Sequence, residues 1–318
     1  MKVARKHTQS NNMRGTLSFI AAIAAASAVQ PALALDRTWV GSGYWDIPRN
    51  WSPAGLPASN DRAIINGGVS LVPFNTNVAG LEFAAGEIGG SGRLTVTGPG
   101  IWNGGSFAGP GATHFAGSLY VSGNQAKTIH GGRVVSVTDT TWGNNTSPDS
   151  NVIGFNSGPG GASRIINMGT WNDTNTFTTQ IKSDYPGPSA FHNIGTYNKQ
   201  GHATTIIGAT YHNTGTTNVN AGKLLLGGGG SSTGSFNIAA NSTLEFTAGD
   251  HKLNDATTSG TGTLDIRGNS IVSINGGKHA TPVLISQDGQ LKGEGHTFDG
   301  PATWTGGSIK GGGLTAFG

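Results

Sequence analysis

From Asp36 onward the apolar residues come in short alternating runs bounded by Gly, Asn, Ser or Pro, and no stretch carries them at a convincing helical spacing. Arg93-Leu-Thr-Val-Thr97, Ser118-Leu-Tyr-Val-Ser122 and Arg133-Val-Val-Ser-Val137 are representative. Alternation with a period of two puts one set of side chains on a buried face and the other on an exposed face, so each run predicts a short half-buried strand. The chain therefore reads as many strands joined by tight turns.

The runs repeat. Leu224-Leu-Leu226, Leu244-Glu-Phe246 and Leu264-Asp-Ile266 share the pattern Leu-x-apolar, their leading leucines lie 20 residues apart, and Leu284 falls on the next step. A companion strand precedes two of these units, Thr217-Asn-Val219 and Phe236-Asn-Ile238. The phrase Asn-x-Gly-Thr-x-Asn occurs at 167–172, 193–198 and 213–218, and Trp-x-Gly-Gly-Ser-apolar occurs at 102–107 and again at 304–309. A propeller blade needs about 40–50 residues per repeat, whereas one coil of a parallel β-helix holds about three short strands and turns in 20–26. The period predicts an all-β parallel β-helix, or solenoid, with residues 90–318 making about ten coils of roughly 20–26 residues, stacked about 4.8 Å apart. In that register Leu224, Leu244 and Leu264 point inward with their i+2 partners, while Leu225, Glu245 and Asp265 point outward to solvent. Recurrent Asn is expected at corners, where it tolerates left-handed backbone and bonds to copies above and below.

Composition fits this architecture. Gly is 54 of 318 residues, yet with only 13 Pro the chain is not collagen-like, and at 35% hydrophobic and 11% charged it is not a disordered polyelectrolyte. There is no Cys, so stability has to come from continuous burial and hydrogen bonding along the stack.

The formal charge of +3 arises at the N-terminus. Lys2, Arg5, Lys6 and Arg14 lie in the first 34 residues, which hold no acid; setting them aside leaves 15 basic against 16 acidic residues. Without a basic patch, nucleic acid is excluded as a partner. A basic stretch to Arg14, an apolar run from Leu17 to Val29 and the small-residue triplet Ala32-Leu33-Ala34 follow the order of a secretory signal peptide over residues 1–34, cleaved after Ala34. That run is too short to span a bilayer comfortably, so no membrane-spanning segment is expected after cleavage. A secreted or bacterial cell-surface, outer-membrane-associated location follows as the expectation.

Residues 35–89 form an N-terminal Trp-rich cap and first coils. Here Trp39-Val-Gly41-Ser-Gly43-Tyr-Trp45 precedes Asn50-Trp51, Pro57 and Asp61. This opening resembles the Trp-x-Gly-x-Gly-x-Trp … Asn-Trp … Pro … Asp start of many bacterial autotransporter passengers and related exported β-strand-repeat proteins, and the Asn-x-Gly-Thr phrases resemble the repeats of such adhesin-like proteins. The resemblance implies a right-handed parallel β-helix at the cell surface or released from it, often adhesive. Two features depart from it: no amphipathic strands like those of a translocator barrel follow the repeats, and no C-terminal sorting signal is present. The chain stops in mid-repeat style at Gly311–Gly318, as a truncated fragment of a larger passenger would.

Candidate chemistry is sparse. Glu245 and Asp265, one coil apart, form an outward carboxylate pair suited in type to glycoside hydrolysis or weak calcium binding. His192 and His212 are equivalent positions 20 apart and offer two imidazoles, where a transition metal usually wants three or four ligands. Trp39, Trp45 and Trp51 serve either as a cap over the open first coil or as a sugar-stacking platform. No catalytic, cofactor-binding or metal site is assigned, and no cofactor is expected. The expected function is a rigid, non-catalytic, adhesin-like binding scaffold whose partners are host or matrix glycans or proteins. The alternative is an extracellular polysaccharide lyase or glycosidase on the same fold. A concave groove gathering Glu245, Asp265 and further acids with Arg or Lys would favour the enzyme; a smooth uncharged rod would favour adhesion.

Overall fold

The computed structural model describes residues 35–156, 161–184, 189–293, 297–311 and 316–317, so the expected signal peptide, 1–34, lies outside the described residues. They form an all-β parallel solenoid of about 12 turns, with one 3-10 turn at Pro48–Asn50 and no α-helix among them. Three parallel ladders run the length of the stack. The first contains Gly100–Trp102, Thr196–Lys199, Thr216–Val219, Ser235–Ile238 and Thr257–Ser259. The second contains Lys127–His130, Ile153–Asn156, Thr204–Ile207, Lys223–Leu226 and Val283–Ile285. The third contains Arg93–Val96, Ala190–Asn193, Thr210–Asn213, Gln290–Gly293 and Ser308–Lys310. Longer strands such as Thr243–Asn254 and Thr263–Asn275 turn a corner and serve two ladders.

The register over the leucine repeat is the expected one: Leu224 pairs with Leu244 and Leu244 with Leu264, all fully buried, with Leu226, Phe246 and Ile266 stacked beside them. Leu284 departs from the expectation. Leu264 pairs with Val283, and Leu284 pairs with the outward Asp265. That coil is one residue shorter, and a shift of one residue in a strand sends a side chain to the opposite face.

The Asn-x-Gly-Thr-x-Asn phrase divides its labour between two ladders. Its first Asn ends a third-ladder strand and points inward: Asn167, Asn193 and Asn213 are fully buried. Asn167 Nδ2 donates to Asn193 Oδ1 at 2.7 Å and Asn193 Nδ2 to Asn213 Oδ1 at 2.8 Å, and the amides also donate to the carbonyls of Thr196, Thr216 and Ser235. The glycine that follows sits where consecutive coils nearly touch. A Cβ on Gly195, Gly215 or Gly234 would lie 2.0 Å from the carbonyl oxygen of the glycine one coil below, a separation real side chains do not reach.

Several charged groups point into the core, which the sequence reading did not anticipate. Arg133 is fully buried; its guanidinium donates to the carbonyls of Gly90, Ala108 and Ala112 and to Thr113 Oγ1, and burial pushes it down to about 10. Lys127 donates to the carbonyls of Gly123 and Gln125, and burial pushes it down to about 8. Asp173, paired in register with Lys199, accepts from the Tyr197 hydroxyl at 3.0 Å, Thr205 Oγ1 at 2.5 Å and Asn175 Nδ2 at 2.9 Å. Burial lowers the Lys199 ammonium, partly offset by Asp173, and Lys199 Nζ donates to the Gly201 carbonyl. Arg133, Lys127, Asp173 and Lys199 have each found at least one backbone or side-chain partner, which offsets the penalty of carrying a charged group into the core.

Candidate binding face

The first ladder presents a regular outward lattice over five coils. Thr170, Thr196, Thr216, Ser235 and Thr257 pair in strict register to form one row. Two residues along each strand, hence on the same face, Asn172, Asn198, Asn218, Asn237 and Ser259 form a second. The inward residue between them is Trp171, Tyr197, Thr217, Phe236 or Thr258, all buried, so the lattice rests on a filled core. The asparagines bond to one another along the stack: Asn198 Nδ2 donates to Asn172 Oδ1 at 3.0 Å, Asn218 to Asn198 and Asn237 to Asn218 at 2.8 Å, and Ser259 Oγ to Asn237 Oδ1 at 2.7 Å. These amides are fixed in orientation and partly exposed. The sequence signal was available in the repeated Thr-x-Asn triplet within the Asn-x-Gly-Thr-x-Asn phrase. Asparagine is expected at corners, but these asparagines stand on an outward strand face.

Glu245 and Asp265 occupy the expected outward register on the second ladder, but not the expected exposure. They are only 4% and 6% exposed, because longer neighbours fold over them. Arg267 Nη1 lies 3.5 Å from Glu245 Oε1 and 3.9 Å from Asp265 Oδ2, Lys223 Nζ lies 3.8 Å from Glu245 Oε2, and Ser286 Oγ donates to Asp265 Oδ1. Burial raises both carboxyls above their ordinary values, while Arg267 and Lys223 pull the other way. The adjacent shallow groove of about 390 Å³ is lined by Thr204, Lys223, Leu225, Glu245, Thr247, Arg267, Gly268 and Gln287, so a single acid reaches it. This is an ion network rather than two convergent carboxylates facing a cleft.

His192 and His212 pair in register and stack at 4.8 Å between ring centres. Burial lowers both, His212 Nδ1 bonds to Ser231 Oγ, and no group of three or more metal-ligating side chains occurs among the described residues.

The three N-terminal tryptophans, surface candidates from the sequence, lie in the core instead. Trp39, Trp45 and Trp51 are at most 5% exposed and pack edge to face at 5.0 and 4.6 Å, with Trp51 Nε1 donating to the Trp45 carbonyl. No ring face is free for a sugar. The rest of the motif holds this cluster in place. Asn50 Nδ2 donates to the Tyr44 carbonyl, and a Cβ on Gly41 would meet Asn50 Oδ1 at 2.4 Å. Burial pushes the Asp61 carboxyl up, but the Ala58 amide and Arg37 guanidinium outweigh it and leave it below its ordinary value.

No family model, curated protein or solved structure matches this chain. Its class, a parallel β-solenoid, rests on its own registers.

Proposed function

We propose that this chain is an exported, surface-located or released β-solenoid acting as a rigid, non-catalytic binding scaffold towards extended repetitive surfaces outside the cell, among them matrix or host glycans and proteins. The observation that carries this reading is the first-ladder lattice, ten outward hydroxyl and amide side chains held in unbroken register. Each contact from such a row is weak, but rigid spacing lets many engage together without paying separately for ordering each group. The resemblance of the Trp39–Asp61 opening to autotransporter passengers supports export and the right-handed sense of the coil. The test is binding of the purified chain to glycan arrays and to cell and matrix surfaces; absence of binding to any of these, with polysaccharide cleavage in its place, overturns the reading.

The raised carboxyls of Glu245 and Asp265 beside Arg267 favour a second reading, an extracellular carbohydrate-active enzyme. It is the weaker of the two, since Glu245 alone of the pair lines the groove. Cleavage of an acidic or neutral polysaccharide that disappears in Glu245→Gln would establish it.

A further inference from the structure

We infer that the Thr/Asn lattice of the first ladder is a binding site for ordered water, and that its ligand is the surface of an ice crystal. This rests on the scaffold reading and names the ligand of one face.

The geometry points to a two-dimensional crystalline partner. Rows on adjacent coils repeat at about 4.8 Å and outward residues along one strand at about 6.7 Å. Both repeats are close to the oxygen–oxygen repeats on the faces of hexagonal ice. Five coils give a patch about 19 Å long in the stacking direction. The four pairings that build it carry no register shift, and the shift in the strand Arg164–Asp173 falls at the corner just before Thr170. Flat sheets over many strands need stacking or side-chain ladders to hold them. Here the asparagine ladder supplies that, and the column Gly169, Gly195, Gly215 and Gly234 leaves no side chain standing beside the threonine row.

The chemistry of the face selects among repetitive ligands. None of its ten residues is charged or aromatic, so it lacks both the counter-charges for an acidic glycan and the flat rings that stack on sugars. The N-terminal tryptophan cluster is buried, and the exposed Trp304 stands on the second ladder, away from this face. Each threonine offers a hydroxyl and a methyl. Each locked asparagine within the ladder spends one N–H and one carbonyl lone pair on its neighbours and leaves the others to solvent. Ordering one bound water costs up to about 2 kcal/mol, so isolated sites hold water loosely. A rigid lattice that matches the crystal orders its waters in the places they already occupy in ice, and the contacts add.

The experiment uses the full chain and measures partitioning into a slowly growing ice front, together with the gap between its freezing and melting points by nanolitre osmometry. The expected result is enrichment in ice and a measurable gap. Thr196→Lys/Thr216→Lys, which raises two long charged side chains from the face, lowers both readouts roughly tenfold or more. Ser273→Lys, the same kind of change on the third ladder, leaves them intact. If the double variant loses its β-sheet spectrum, Asn237→Lys/Thr257→Lys replaces it at more exposed positions. Exclusion of the wild-type chain from ice overturns the inference, as does full ice activity in folded face variants. Binding to insoluble glycan that depends on Thr196 and Thr216, without ice activity, overturns the ice assignment and leaves the scaffold reading standing. Loss of every binding readout fails both.

Discussion

Asn193 and Asn198 belong to the same six-residue phrase, five positions apart, yet their truncation should have very different consequences. Asn193 is fully buried at the middle of the inward ladder; Asn198 lies within the outward one, bonded on both sides. Asn193→Ala deletes the bonds to Asn213 Oδ1 and the Thr216 carbonyl, both at 2.8 Å, and removes the acceptor for Asn167 Nδ2. Thr216 O and Asn213 Oδ1 lose a donor in a place water does not reach. Each orphaned group costs about 1–3 kcal/mol, so the two together cost about 2–6 kcal/mol, with a small cavity added. Asn198→Ala breaks two bonds of similar length, to Asn172 and from Asn218, but solvent takes over the freed groups and the loss stays near 0.5 kcal/mol. Stacked repeats interact with their nearest neighbours and do not unfold as one unit, so the appropriate assay is local. Native-state hydrogen exchange of the amides in Thr196–Lys199 and Thr216–Val219 should lose protection by a factor on the order of a hundred or more in Asn193→Ala and by less than about threefold in Asn198→Ala. Equal effects of the two substitutions, or a loss below about 1 kcal/mol for Asn193→Ala, would refute the assignment of these residues to opposite faces.

Three further outcomes are expected. Gly215→Ala places a Cβ 2.0 Å from the Gly195 carbonyl oxygen and should cost about 1–3 kcal/mol in urea unfolding, whereas Gly208→Ala, whose nearest neighbour is 3.9 Å away, should be neutral or slightly stabilising. His251 is held down to about 4 by burial, so the unfolded chain takes up a proton at this site before the folded one does; stability falls as pH drops from about 6.5 towards 4, by up to about 3 kcal/mol, and His251→Gln flattens that part of an acid titration followed by circular dichroism. Glu245 and Asp265 have the opposite sign. Their folded carboxyls hold protons to higher pH than the unfolded ones, so stability declines as pH rises through the raised range, and Glu245→Gln should remove part of that decline in thermal melts. An unchanged pH profile in that variant would mean the Arg267 and Lys223 contacts, not burial, set its titration.

The strands, their stacking and the inward leucine column were legible in the chain because each follows from short-range periodicity. Alternation fixes which side chains share a face, and a repeat near 20 residues leaves room for one coil. The Thr-x-Asn triplet carried the outward Thr/Asn face in the same way, because i and i+2 point together along a strand. Exposure belonged to the tertiary structure, because it depends on what neighbouring coils lay over a residue. Glu245 and Asp265 kept their outward register but were covered by Lys223 and Arg267, whose length lets them reach across a coil. The three tryptophans turned their rings inward, and Lys127, Arg133, Asp173 and Lys199 entered the core because corner carbonyls and buried hydroxyls were there to meet them. Periodicity along a chain specifies direction, whereas burial and partnership are set by contacts between segments some 20 or more residues apart, which emerge only when the coils are stacked.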